Sequence, residues 1–244
     1  MKTFRADLHI HSVLSPCGSL EMSPVNIVRE AKRKKLDIIA ITDHNSSKNS
    51  KALLDLLDDE IAFFYGMELQ TVSETHMLAL FDTYENASEF NNYVYEKLPD
   101  IKNKPEYFGE QVVVDKDENI LEMEKKLLAQ SVNIDIDEAV KKIHSLDGLA
   151  IPSHINRDMY GIIAQLGFLP ENIDFDALEI DERSKFEEVK TQYKNKYPII
   201  KNSDAHYLED IGTYYTEFYI EAPTVSEIKK ALKGIEGRKI CYDA

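Results

Sequence analysis

Two histidines stand one residue apart in the stretch ADLHIHS near the start of the chain. Side chains at alternate positions of a β-strand point to one face, so Asp7, His9 and His11 would share a face. Polar groups on a buried face need partners, and two neighbouring imidazoles can chelate a metal ion. The stretch therefore predicts a strand whose polar face binds metal.

Further carboxylates and imidazoles stand at or near the ends of apolar runs along the chain. The carboxyl ends of the strands in a parallel α/β barrel converge on one face, where active sites are built, so we expect these side chains to meet there. They comprise Asp43, His44, Glu68, His76, His154, Asp204 and His206. With His9 and His11, the group takes in six of the seven histidines, which predicts a metal centre rather than scattered structural histidines.

Eight short apolar runs alternate with helical patterns, which predicts an α/β fold with a mainly parallel sheet. Ser23 and Pro24 mark the start of one helix, and Thr224 and Gly234 bound another. The length of 244 residues suits a single barrel domain over 1–244. The predicted strands are 6–11, 37–42, 61–71, 76–81, 148–152, 177–180, 198–202 and 214–220.

The stretch 82–130 interrupts this alternation. It is polar, offers little strand, and contains a charged segment over 117–130 that we interpret as a helix. We interpret the whole stretch as an insertion that covers the site. Whether it acts as a lid or is only a surface elaboration stays open.

The chain carries a formal net charge of −15. Such a surface repels phosphate backbones, so no long nucleic acid is expected as a partner. No run reaches transmembrane length and no signal peptide is recognisable, which predicts a cytoplasmic protein without a membrane partner. Cys17 and Cys241 stand far apart and do not indicate a disulfide framework. The sequence carries no indication of oligomeric state.

The order of these motifs resembles that of the PHP (polymerase and histidinol phosphatase) superfamily. A DxHxH opening motif, a TDH motif, a Glu followed by a His, a further His and a late DxH occur in family order from Asp7 to His206. The resemblance implies a distorted TIM-like (β/α)7 barrel. It also implies two or three divalent metal ions at the carboxyl face, with zinc, manganese and iron as the candidates.

The resemblance further implies roles for individual residues, with Glu68 bridging two ions. The ligands of the first ion would be His9, His11, Glu68 and Asp204, those of the second Glu68, His76 and His154, and those of the third His44 and His206. Asp7 and Asp43 would orient imidazoles. Cys17 stands where some members have a histidine. It is either a small buried thiol or a thiolate ligand of the third ion, which would favour zinc or iron.

These roles predict a phosphoesterase that hydrolyses a small phosphomonoester, such as a nucleotide, with a metal-bound hydroxide as nucleophile. Glu68 and Asp204 would serve catalysis through the metals. Arg157 would clamp the phosphate, with a structural salt bridge as its alternative role, and Arg183 would be a further substrate-binding residue. Two other functions stay open, a histidinol-phosphatase-like enzyme and a non-catalytic metal-binding accessory or sensor domain.

Overall fold

The computed structural model describes residues 1–183 and 186–242. The strands are β1 (Lys2–Ile10), β2 (Ile38–Ile41), β3 (Ala62–Gln70), β4 (His76–Phe81), β5 (Val112–Val114), β6 (Ile120–Met123), β7 (Leu149–Pro152), β8 (Leu178–Glu179), β9 (Ile199–Ile200), β10 (Thr216–Ile220) and β11 (Lys239–Cys241). The α-helices are α1 (Pro24–Arg33), α2 (Tyr84–Lys97), α3 (Pro105–Phe108), α4 (Ile136–Ser145), α5 (Ile162–Leu166), α6 (Phe186–Tyr193) and α7 (Val225–Lys233), and 3₁₀ helices span Lys48–Leu56 and Leu208–Asp210. In this part of the chain, no helix has the length and apolar character needed to cross a membrane.

Seven strands form the wall of a distorted barrel, namely β1 to β4 and β7 to β9. β8 and β9 pair with each other, while the other five belong to a sheet that continues beyond β1 into β10 and β11. The end of β1 meets the segment after β9 through a parallel bridge between Ile10 and Ala205. All eight strands predicted from the sequence are present, and the predicted α/β class and TIM-like barrel are confirmed.

The barrel sheet is mixed, whereas the sequence predicted a mainly parallel one. β4 runs antiparallel to both β3 and β7. Only five residues separate β3 from β4, and a parallel pair needs a crossover of about a dozen or more. The turn closes where Thr71 N–H donates a hydrogen bond to the Thr75 carbonyl. As a result, His76 at the start of β4 lies at the same edge as the end of β3.

Side chains and backbone groups join β8 and β9 to the rest of the barrel where strand pairing stops. The Asn202 side chain accepts a hydrogen bond from Leu8 N–H at 2.9 Å. On the other side, the carbonyl of Glu179 accepts one from Ile155 N–H at 2.9 Å. These bonds satisfy buried backbone groups and fix the segments that follow β7, β8 and β9 at one end of the barrel.

Apolar side chains fill the barrel interior and a second layer between the barrel and its helices. Leu8, Phe64 and Ile151 belong to the interior cluster and are buried, and each such side chain stabilises the fold by about 2 kcal/mol. Val225 and Ile228 of α7 pack into the same cluster. Helix α7 therefore closes the amino end of the barrel, and the polar residues gather at the carboxyl end.

The charged segment 117–130 is not a helix, contrary to the prediction, because β5 and β6 form a hairpin there. Asp115 closes its turn by accepting hydrogen bonds from the N–H and side-chain amide of Asn119, both at 2.9 Å. Such local bonds compete with helix formation. The hairpin lies against the loop that follows β1, where Val112 N–H donates to the Val13 carbonyl at 3.2 Å. That the predicted insertion covers the site stays a prediction.

Candidate metal centre

The two histidines of β1 meet an aspartate at the carboxyl end of the barrel. The pairing of β1 with β2 is irregular between Asp7 and Ile10, and such an irregularity interrupts the alternation of faces. His9 and His11 then lie together, with their Nε2 atoms 3.2 Å apart. Asp204 Oδ1 lies 3.2 Å from the first ring and 3.1 Å from the second. The predicted shared face therefore holds for the two histidines but not for Asp7.

Glu68, near the end of β3, stands at the centre of the cluster, and its carboxylate oxygens lie within 3.4 Å of five imidazoles. Oε1 is 3.2 Å from His9 Nε2, 3.1 Å from His76 Nδ1 and 3.1 Å from His154 Nε2, and Oε2 is 3.4 Å from His11 Nε2 and 3.2 Å from His44 Nδ1. One carboxylate has about four acceptor positions, too few for five good hydrogen bonds. The arrangement is that of ligands around cations.

Several ring nitrogens in the cluster are buried and make no hydrogen bond of good geometry with the described residues, namely His44 Nδ1, His76 Nδ1 and Nε2, and His154 Nδ1. His44 Nδ1 and His76 Nδ1 lie close to the Glu68 carboxylate, but the angles of these contacts are not those of hydrogen bonds. Buried polar atoms in that state are costly, and a divalent ion would satisfy them. Three overlapping groups have ligand atoms within 4.8 Å of one another: His9, His11 and Asp204; His44, Glu68 and His76; and His11, Cys17, His44 and His206. Imidazole, carboxylate and thiolate donors of this kind fit zinc and iron, and the sites without the thiol also fit manganese.

Electrostatics favour the ionised form of Glu68 but affect the imidazoles of the cluster in opposite directions. Burial opposes ionisation of Glu68, but the surrounding imidazoles, His76 and His9 first, hold the pKa of that carboxyl well below its usual range. Burial lowers the pKa of His76 to about 4, against the attraction of Glu68. Burial, assisted by His206, also holds the pKa of His11 well below its usual range.

Burial opposes protonation of His9 and His44, yet Glu179 and Asp204 hold the pKa of His9 well above its usual range, and Cys17 does the same for His44. Ionised carboxylates and unprotonated imidazoles are the forms that bind metal ions. A bound cation would have to displace protons from these two rings.

Cys17 lies at the exposed rim of the cluster. Its thiol is grouped with the rings of His11, His44 and His206. Packing around the thiol opposes its ionisation, but His44 and His206 lower the pKa of Cys17 to about 6. The thiol is thus placed where the ligand hypothesis requires it. Cys241 lies elsewhere, on β11 opposite β10.

Two candidate ligands have a left-handed backbone, with φ at +29° for His154 and +49° for Asp204. Residues with side chains adopt this region uncommonly, at a cost of about 1 to 3 kcal/mol, and such residues cluster at functional sites. The loop after His154 is tight, because a Cβ at Gly161 would lie 2.4 Å from the carbonyl oxygen of Arg157. The fold therefore maintains an unfavourable backbone where the cluster needs these side chains.

The two aspartates predicted to orient imidazoles have different hydrogen-bond partners. Asp43 accepts a hydrogen bond from the Ser15 hydroxyl at 2.7 Å, and that hydroxyl also lies 3.0 Å from His11 Nδ1. Asp43 therefore reaches an imidazole through Ser15. Asp7 accepts a hydrogen bond from the Ser203 hydroxyl at 2.6 Å and ties β1 to the segment after β9. Burial raises the pKa of Asp7 to about 6.

Glu179, which was absent from the predicted site, contacts His9 on the side of the ring opposite the other candidate ligands. Its carboxylate lies 3.1 Å from His9 Nδ1 and accepts hydrogen bonds from His154 N–H at 3.1 Å and Asn202 Nδ2 at 2.8 Å. A carboxylate on one ring nitrogen fixes the orientation of the imidazole, so that Nε2 faces the other ligands. The available sequence signal was an acidic residue inside the apolar run 177–180.

We expect Glu179→Gln to weaken metal binding. The amide offers one acceptor oxygen where three donors converge, so the orientation of His9 is no longer fixed. Losing such a partner lowers metal affinity by about 10- to 100-fold. Titration of the apoprotein with zinc against a competing chelator measures this affinity. An affinity equal to that of the wild type would show that Glu179 does not position His9.

Arg157 and Arg183 flank a cavity beside the cluster, and both contact Asp181. Arg157 bridges Asp181 and Asp204, and Arg183 Nε lies 2.9 Å from Asp181. The cavity has a volume of about 480 Å³ and is lined by Cys17, Arg157, Asp181, Arg183, Asp204, His206, Tyr207 and Asp210. Both predicted cations therefore stand beside the candidate metal ligands. Asp181, which was not predicted, holds the two arginines together.

Two family models match this chain. One is described as PHP domain and covers residues 7–166, and the other is described as PHP-associated and covers residues 190–234. The chain belongs to the PHP domain family. The predicted family is confirmed.

One relative by sequence is the uncharacterized protein YqxK of Bacillus subtilis, 26% identical over 274 residues. The match covers 98% of this chain and 64% of that protein. The chain thus spans less than two thirds of the relative.

Two solved structures share the fold over nearly the whole chain. One is the lesion-specific endonuclease PfuEndoQ of Pyrococcus furiosus, with a TM-score of 0.73, 22% identity, and coverage of 98% of this chain and 57% of that one. The other is endonuclease Q in complex with a 27-mer duplex substrate that has an abasic lesion at the active site, with a TM-score of 0.74, 23% identity, and coverage of 97% and 58%.

These structures overturn the expectation that a chain of this kind has no long nucleic acid as a partner. The expectation rested on the net charge of −15. Net charge sums the whole surface, whereas a substrate meets the local field of its site. Here that site combines candidate metal ligands with Arg157 and Arg183, and bound cations would invert the local charge.

Proposed function

We propose that this PHP chain is a divalent-metal-dependent hydrolase of phosphoric esters. The observation that carries the proposal is the convergence of five imidazoles on the two oxygens of the Glu68 carboxylate. Divalent ions held there would lower the pKa of bound water and neutralise charge on a phosphate. The proposed ligands are His9, His11, Cys17, His44, Glu68, His76, His154, Asp204 and His206.

The arginines beside the cluster would bind the phosphate of the substrate. A guanidinium group matches two phosphate oxygens with parallel hydrogen bonds. Burial disfavours the charge on Arg157, but Asp204 and Asp181 raise its pKa further above its usual value, so it stays a cation. Asp181 contacts both Arg157 and Arg183, so it would present the two cations to one phosphate group.

We further infer that this phosphate belongs to a nucleic-acid strand rather than to the small phosphomonoester predicted from the sequence. The likeness to endonuclease Q over 97% to 98% of the chain supports this substrate class. An exposed aromatic side chain at the site also supports it. Tyr207 is 54% exposed and lines the cavity. Aromatic rings suit stacking on the faces of bases.

Hydrolysis of a panel of esters tests the proposal. The protein would be loaded separately with manganese, zinc and ferrous iron. The substrates would be a duplex with an abasic site, short oligonucleotides, nucleoside monophosphates and histidinol phosphate. The double variant His9→Ala/His11→Ala is the blank, and elemental analysis gives the metal content of each sample.

The outcomes separate the alternatives. Hydrolysis that disappears in the blank supports a metal-dependent esterase, and fastest turnover of the duplex supports a nucleic-acid substrate. Fastest turnover of nucleotides or of histidinol phosphate would instead support the small phosphomonoester that the sequence predicted as the substrate. Bound metal without hydrolysis of any ester would favour the accessory or sensor domain.

We expect Arg157→Lys to raise the KM of the best ester about tenfold, because lysine cannot make the two parallel hydrogen bonds of a guanidinium group. Metal content should stay unchanged. Steady-state kinetics and elemental analysis measure the two quantities. Loss of metal with an unchanged KM would instead assign Arg157 to a structural salt bridge that holds Asp204.

A further inference from the structure

A ledge of lysines and aromatic residues lies on the segment between α2 and β5 and includes Lys125, which follows β6. Its members are Lys102, Lys104, Tyr107, Phe108 and Lys125, all exposed. Two backbone pairings hold it together: Lys102 bridges Lys126 in an antiparallel sense, and Asn103 N–H donates to the Lys125 carbonyl at 2.8 Å. The three lysines are thereby gathered on one short double strand, with α3 beside them.

The ledge is anchored next to the metal centre. The Asn103 side chain donates a hydrogen bond to the Gly109 carbonyl at 2.9 Å, which ties α3 to the double strand. Gly109 has φ of +99°, and a Cβ there would lie 2.1 Å from the Pro16 carbonyl oxygen. Pro16 precedes Cys17 in the chain. The ledge is therefore joined, through Gly109, to the loop that carries the candidate ligand Cys17.

The side chains of the ledge are available to a partner. Tyr107 is 78% exposed and Phe108 47%, although aromatic rings are usually covered. Among the described residues, Lys102, Lys104 and Lys125 form no ion pair, even though the chain carries a large excess of acidic residues. Several lysines of neighbouring segments, by contrast, do have partners.

Two nearby cases show the contrast. Lys48 pairs with Glu124 at 2.5 Å, and the ammonium of Lys126 turns back to the Leu98 carbonyl at 3.2 Å. Acidic side chains do occur along the ledge segment itself. Asp100, Glu106 and Glu110 lie there, and none of them forms an ion pair with the three ledge lysines in the described part of the chain.

We propose that the ledge binds a nucleic-acid strand that extends from the metal centre, an inference that rests on the proposed function. The three ammonium groups would contact successive phosphates, and Tyr107 would stack on an unpaired base. Because the ledge is joined to the loop that carries Cys17, a strand whose phosphate lies at the cluster would continue across it. A small phosphomonoester would not reach it.

Two charge-matched triple variants test the ledge. Lys102→Gln/Lys104→Gln/Lys125→Gln removes its charges. Lys2→Gln/Lys233→Gln/Lys239→Gln removes three exposed lysines near the amino end of the barrel. The probe is a fluorescein-labelled 27-mer duplex with one abasic site. Its binding affinity is measured by fluorescence anisotropy over a series of salt concentrations. Turnover of bis(p-nitrophenyl) phosphate serves as the separate readout of the metal centre.

We expect the ledge triple to bind the duplex at least about tenfold more weakly. The slope of log affinity against log salt should fall by about 3, close to one for each lost phosphate contact. The Tyr107→Ala variant should bind the duplex about fivefold more weakly than the wild type does. The control triple should bind nearly as the wild type does, and turnover of the small ester should be equal in all four proteins.

Three results would overturn the proposal that the ledge binds nucleic acid. They are an equal loss of duplex affinity in the two triple variants, no loss of affinity in either, and no binding of the duplex by the wild type. None of these results would affect the proposed esterase. Conversely, absence of turnover of any ester would refute the proposed function, while the anisotropy comparison would still decide whether the ledge binds nucleic acid.

Discussion

Replacing Glu68 by glutamine is expected to lower kcat/KM for the best ester at least about a thousandfold. The carboxylate has five imidazoles within 3.4 Å, and a neutral amide would bind divalent ions held there far more weakly than the charged carboxylate would. Metal ions supply several kcal/mol of charge stabilisation in such reactions, which corresponds to about this factor. Metal content should fall in parallel, and elemental analysis of the same samples measures it.

Glu227→Gln is a matched control for this substitution. Glu227 is 8% exposed and lies on α7, at the opposite end of the barrel, where it pairs with Arg238. The control should keep its metal and its activity. If Glu68→Gln retained both metal and turnover, the central carboxylate would not be a ligand and the proposed centre would be wrong.

Gly66→Ala is expected to lower the free energy of unfolding by about 3 kcal/mol, the upper part of the range for overpacking a filled core. Gly66 pairs with Leu80, and a Cβ there would lie 2.0 Å from the Ala79 carbonyl oxygen. β3 and β4 would have to separate. For a chain of this length, that loss corresponds to a fall in Tm of about 6 to 12 °C.

The same strand pair carries Glu68 and His76, so metal affinity should fall together with Tm. Gly167→Ala is the control, because it introduces backbone strain without a steric clash. Gly167 has φ of +77° and open space around the position of a Cβ, so its variant should lose only about 1 kcal/mol and bind metal normally. A Gly66→Ala protein as stable as the wild type would mean that β3 and β4 are not packed as described.

The sequence was most informative about the elements and the ligand candidates. Short apolar runs that alternate with helical patterns predicted the eight strands, because a strand buried in a barrel consists of a short apolar stretch. Histidine is rare in this chain, so its recurrence at strand ends indicated a common site. The hairpin between β3 and β4 also explains why His76, at the start of its strand, still reaches Glu68 at the end of another.

Other features depend on tertiary contacts that no local pattern encodes. The irregular pairing of β1 turns Asp7 away from His9, and strict alternation could not anticipate it. Glu179 and Asp181 act through residues distant in the chain, such as His9 and Arg157. The charged segment 117–130 looked helical because its charges suit a helix, but the turn at Asp115 and the pairing of β5 with β6 prevail.

The most direct test of the central claim is a metal titration of chelator-stripped protein, in which bound ions and phosphoester hydrolysis are followed in the same samples. The account predicts that stripped protein is inactive and that hydrolysis rises as two or three divalent ions bind per chain. It also predicts that His9→Ala/His11→Ala recovers neither ions nor activity. Full hydrolysis by the stripped protein, or by the double variant, would contradict the assignment of the histidine cluster as the catalytic metal centre.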